Sequence, residues 1–96
     1  MFNKRKNQEF FKEQIKPHHH DLIKFLTHAT GDEWLAQDIT QSTMEDAWKY
    51  IDRMRSYDNV KGALISIAKN NLKKQYNKNP IVVFHSKKWR KLFLLT

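Results

Sequence analysis

Cysteine is absent from the chain. That excludes a disulfide framework and any thiolate-held metal, and it fits a reducing compartment, so a cytoplasmic protein is expected. Glycine and proline are scarce, two of each in 96 residues. Turn-rich β architectures use many more of both, so long helices and an all-α fold are expected. No apolar run approaches the roughly 20 residues of a membrane-spanning helix. The opening MFNKRKNQEFFKEQ is too polar for a secretory leader. Acid is also missing, but only locally. Residues 60–96 hold nine basic side chains and no Asp or Glu; residues 17–59 hold four basic and eight acidic, residues 1–16 five basic and two acidic, and the net charge is +8. An acidic middle and a wholly basic last third suit two different surfaces, the second being nucleic acid or an anionic membrane. A charged surface that does no more than keep the chain in solution is the alternative.

What the chain does contain is helical periodicity. Residues 3–16 form a first segment with Phe10, Phe11 and Ile15 as its apolar side, ended by Pro17. Leu22, Ile23, Phe25, Leu26 and Ala29 recur at helical spacing up to Gly31, which suits a helix C-terminus. A further helix is expected from about Asp32 to Arg53. Its inward stripe is Leu35, Ile39, Thr43, Ala47, Tyr50, Ile51 and Met54, and Asp38, Gln41, Ser42, Glu45, Asp46 and Lys49 face mostly away. Trp34, Trp48 and Tyr50 read as packing residues rather than stacking platforms.

The most informative stretch is YDNVKGALISIAKNNLKKQY, Tyr57 to Tyr76. Ser56 or Asp58 is expected to cap its start. At about 100° per residue, Val60, Leu64, Ile67, Ala68, Asn71 and Leu72 fall on one side, apolar but for Asn71. Gly62, Ser66, Lys69, Asn70, Lys73, Lys74 and Asn77 fall on the other. That second face offers amides, a hydroxyl and cations without a single acid, which suits phosphates and base edges.

Two stretches together resemble region 2 of the extracytoplasmic-function (ECF) sigma factors, specificity subunits of bacterial RNA polymerase. NVKGALISIAKNNL is similar to N-V-R-A-W-L-x-x-I-A-R-N, and LAQDITQSTMEDAWKYIDRMRSY resembles A-E-D-L-V-Q-E-T-F-L-x-A-W-x-x-L-D-x-F-R. Asp38, Gln41, Thr43, Ala47, Trp48, Asp52 and Arg55 are identical to the second pattern, and FLTHATGD matches the end of the family's first helix at Phe25, Thr30, Gly31 and Asp32. The resemblance covers about residues 22–78. It implies an all-α, three-helix region 2 bundle within residues 1–78, with extra helical segments at both ends. Residues 79–96 then form a linker or short helix, and no region 4 helix-turn-helix domain is expected.

The resemblance also implies partners. Asp38, Gln41, Ser42 and Glu45 would dock on the clamp helices of the largest subunit of core RNA polymerase. Ser42 stands where the family usually has Glu. Arg55, Ser56, Tyr57, Asp58, Asn59 and Lys61 would line a pocket for a base flipped out of the promoter −10 element. Ser66, Lys69, Asn70, Lys73 and Lys74 would track the same strand. Ala63 stands in place of a Trp, and Lys74 in place of a polar or acidic residue. An anti-sigma factor or a separate region 4 protein is a further possible partner. The competing reading is a stand-alone interaction module that binds polymerase or an anti-sigma protein and reads no DNA. A basic protein on a membrane surface is a third, drawn from the segment KKWRKLFLLT.

Catalysis is not expected. There is no nucleophile–base pair, no phosphate-binding loop and no paired-carboxylate arrangement; Asp38 and Asp46 read as solvated. His18, His19 and His20 are consecutive and cannot share one helix face, and no H-x-x-x-H pair exists, so no metal site is expected. Neither a cofactor nor a small-molecule substrate is implied.

Overall fold

The computed structural model describes residues 4–78, and every element in that span is helical. Helix α1 (Lys4–Phe10) runs into a π-helical turn (Phe11–Ile15) and a 3-10 turn (Lys16–His18). Helices α2 (His19–Thr30), α3 (Glu33–Lys49), α4 (Ile51–Met54) and α5 (Val60–Lys78) follow. The expected turn at Asn79-Pro80, the β-prone run Ile81–Phe84 and the amphipathic segment after Ser86 lie outside the described residues.

The core is built from one face of each long helix. Leu22 and Leu26 of α2, Leu35, Ala36, Ile39, Met44 and Ala47 of α3, and Leu64, Ala68 and Leu72 of α5 are buried together. Fully burying a large aliphatic side chain is worth about 1.5–3 kcal/mol, so this apolar side holds the helices together. Thr30, Thr40 and Thr43 are buried with them. Each hydroxyl donates to the carbonyl four residues back, on Leu26, Ala36 and Ile39, at 2.7, 2.7 and 2.8 Å. No buried polar side-chain atom among the described residues is left unpaired.

The Thr30-Gly31-Asp32 corner has a clear local cause. Gly31 ends α2 at φ 72°, a left-handed conformation that suits glycine, and its N–H donates to Thr27 O at 2.7 Å. Asp32 then caps α3, its Oδ1 accepting from Leu35 N at 3.1 Å.

The first segment is helical as expected, an α-helix that widens into a π-helical turn, and its Ile15 is fully buried. Three expectations are corrected. The third expected helix does not run unbroken to Arg53. Tyr50 leaves helical geometry at φ −107°, ψ 33°, and α4 starts afresh, with Ile51 and Met54 still turned inward. Tyr50 itself is exposed, its ring attended by Lys49 Nζ at 5.5 Å and the Arg53 guanidinium at 5.9 Å. Finally, α5 is capped by neither Ser56 nor Asp58. Asn59 does this, its Oδ1 accepting from Gly62 N at 2.9 Å, because it stands immediately before Val60, where a cap must stand.

Candidate functional site

The outer side of α3 carries Trp34, Asp38, Gln41, Glu45 and Trp48 at i, i+4, i+7, i+11 and i+14. These positions line up along one helix face. All five are exposed, and Ser42 is half-buried at the edge of the row. Trp34 is 85% exposed, so it is not the packing residue that the sequence suggested, whereas Trp48, 43% exposed, packs in part. Trp48 is partly held, because Phe11 meets it edge-on at 5.7 Å and 88°. Trp34 stands free at the start of the helix. It shares a groove of ≈ 590 Å³ with His19 and Ile23 of α2 and with Gln37, Asp38 and Gln41 of α3. Among the described residues, Asp38, Gln41 and Glu45 have no hydrogen-bonding partner for their side chains, so their acceptors and amide face outward unspent.

The loop from Arg55 to Asn59 is more committed than its sequence suggests. Arg55 Nη1 donates to Asn7 Oδ1 at 3.2 Å and lies 4.0 Å from Asp52 Oδ1, and Asn7 Nδ2 donates to the same carboxylate at 3.3 Å. The N-terminal helix thus reaches over to hold the base of the loop. Ser56 Oγ donates to Arg53 O at 2.6 Å. Asn59 is the cap, and Lys61 Nζ lies 3.6 Å from Asp21 Oδ2 of α2. Tyr57 and Asp58 remain exposed, with no side-chain partner among the described residues. Beyond the loop, Ser66, Asn70, Lys73 and Lys74 are exposed along α5 and Lys69 is half-buried. The structure therefore gathers the α5 candidates on one acid-free face, apart from the α3 row.

Between these surfaces lies a contact that sequence reasoning missed. Asn71 Nδ2 donates to Asp46 Oδ2 at 3.0 Å and to Thr43 Oγ1 at 3.3 Å, joining α5 to α3. Asp46 is half-buried here rather than merely solvated. The one signal in the sequence was an amide on an otherwise apolar face. Asn7 and Asp21 were missed because each acts on a residue far away in the chain. The histidines form no metal-binding group among the described residues, and no described helix is long and apolar enough to cross a membrane.

Comparison with known families bears on both surfaces. The family described as Sigma-70 region 2 matches residues 14–79, which takes in the 3-10 turn and α2 to α5. Neither the curated proteins nor the solved structures gave a match. Region 2 is a non-enzymatic domain of transcription factors, and its presence implies RNA polymerase binding and promoter melting in general terms. With the matched stretch covering more than half of the residues and the all-helical fold agreeing with it, the chain belongs to the sigma-70 region 2 family.

Proposed function

We propose that the chain works as an ECF-type region 2. It docks on the clamp helices of core RNA polymerase through α3, and it captures the promoter −10 strand through the loop at Arg55–Asn59 and the outer face of α5. The observation that carries this reading is the division of labour between two packed helices. One presents acids and amides without internal partners. The other presents lysines, Asn70 and Ser66 without an acid. The first fits a basic protein surface. The second fits a phosphate backbone and exposed base edges.

On this reading the strand opens by binding energy. An unstacked base is held on the domain, and no covalent step occurs. Tyr57 is the exposed aromatic of the loop and offers a stacking surface. Asn70 offers donor and acceptor to a base edge, whereas Lys73 offers only charge and donors.

The two side chains should therefore fail differently. Fluorescence anisotropy on the chain bound to core polymerase, with a preferred and a scrambled strand, tests this. Asn70→Ala should cost roughly 1–3 kcal/mol on the preferred strand and little on the scrambled one. Lys73→Ala should weaken both alike. Equal losses on both strands for Asn70→Ala would remove its reading role.

The exposed Trp34 and Trp48 favour one other reading, a module that binds polymerase or an anti-sigma protein and reads no DNA. Capture by core polymerase with no change in promoter opening would select it.

A further inference from the structure

Asn7 of α1 closes a ring of three polar side chains with Asp52 and Arg55, which stand 45 and 48 positions further along the chain. Its Oδ1 accepts from Arg55 Nη1 at 3.2 Å, and its Nδ2 donates to Asp52 Oδ1 at 3.3 Å. That same carboxylate oxygen lies 4.0 Å from Arg55 Nη1. Asn7 also lies outside residues 14–79, the stretch matched by the region 2 family. We propose that Asn7 is a positioning residue: it holds the Arg55 guanidinium off Asp52 and leaves the free edge of that group for a phosphate of the opened strand. The proposal rests on the strand-binding reading above and adds to it a residue that itself touches neither base nor phosphate.

Three observations carry it. A guanidinium and a carboxylate that pair directly close to about 2.7–2.9 Å. Here they stand at 4.0 Å, with the Asn7 amide bonded to both. An amide can do this because it accepts from the cation through oxygen and donates to the anion through nitrogen. Next, arginine carries N–H donors on three nitrogens in a planar fork, and among the described residues only Nη1 of Arg55 has a partner. Nε and Nη2 remain for a two-point contact, the geometry in which a guanidinium meets a phosphate. Last, α1 is seated independently of this ring. Phe10 and Phe11 pack against the core, so a fixed element carries Asn7 to the loop. A guanidinium released from Asn7 can fold onto Asp52, which is exposed and three residues away. Its charge is then satisfied inside the domain and withheld from the strand.

The test is anisotropy with the preferred and the scrambled strand at several salt concentrations, using the full chain bound to core polymerase and subtracting the signal of core polymerase alone. A phosphate contact is blind to sequence. Arg55→Ala should therefore weaken both strands alike, by several-fold, and flatten the plot of log K against log salt by roughly 0.7 units. Asn7→Ala should act in the same way but less strongly. Its melting temperature should hold, since both of its bonds are exposed and alanine suits a helix. In an Arg55→Ala background, Asn7→Ala should add nothing. Asp52→Asn should rescue Asn7→Ala and return its slope toward wild type, because the competing charge is gone; a change that merely loosened α1 would not be rescued. An unchanged slope in Arg55→Ala or Asn7→Ala, an equal loss from Asn7→Ala with and without Arg55, or a failed rescue overturns the positioning role. With Lys73→Ala still flattening the slope, any of these leaves the strand-binding reading intact. Absence of binding to either strand above core polymerase alone overturns both.

Discussion

Asn71 faces α3 from a side of α5 that is otherwise apolar, and two acceptors meet it there. Removing the amide strands a half-buried carboxylate. Asn71→Ala is expected to cost about 1–3 kcal/mol, read as a drop in Tm of about 4–8 °C per kcal/mol for a domain of this size. Asn71→Leu separates polarity from packing. It adds apolar volume yet leaves Asp46 unpaired, so it should be no more stable than Asn71→Ala in the same melt. Asn59 acts at the same scale. Asn59→Ala should cost about 0.5–2 kcal/mol by urea denaturation, and Asp58→Ala, at an exposed site that caps nothing, should stay within about 0.5 kcal/mol of wild type. The sequence showed that a cap was needed near here but not which residue supplies it. Ser56, Asp58 and Asn59 are all good caps in isolation, and the choice depends on where the chain enters α5. Similarly, nothing in the order of residues pairs Asn7 with Arg55 or Asp21 with Lys61, since both contacts are made by packing.

At the scale of elements, α2, α3 and α5 were legible because their buried residues repeat at the helical period. The break at Tyr50 was not, since no glycine or proline marks it. The tryptophans show the other limit. Trp34 and Trp48 share a helix with a good inward stripe, but at i and i+14 they belong to the outward row of Asp38, Gln41 and Glu45. Large aromatic side chains suggested core, while their spacing placed them outside. On the proposed docking role they stand about 21 Å apart along the helix axis, at 1.5 Å per residue. Exposed tryptophans at the two ends of a polar row are suited to act as anchors in an interface. Trp34→Ala should leave stability within about 0.5 kcal/mol of wild type and weaken binding to core polymerase by about 2 kcal/mol or more in a titration. Trp48→Ala should lower both, because its ring also packs against Phe11. Unchanged affinity for Trp34→Ala with the fold intact would place the docking surface elsewhere.

Across the whole molecule, charge is sorted along the chain. Acids are concentrated in residues 17–59 and the remainder is basic, for a net +8. This was legible from composition alone, though composition could not separate nucleic acid from membrane as the basic partner; the order of motifs favoured the former, and the family match supports it. Single-strand binding should then fall steeply with salt, because lysines displace condensed counterions. Replacing Lys69 and Lys74 by Ala together should flatten the plot of log K against log salt by roughly 1.4 units, at about 0.7 per phosphate contact on a single strand. A slope unmoved by the double change would mean that neither lysine meets a phosphate.

The bridge from Asn71 to Asp46 and Thr43 also acts as a ruler. Sliding α5 along α3 by one helical turn would carry its outer face about 5.4 Å. Such a slip pulls Asn71 away from both acceptors, so the helices have one preferred alignment. If α3 fixes the domain on the polymerase and α5 holds the strand, the offset between enzyme and opened base is set by an amide inside the domain.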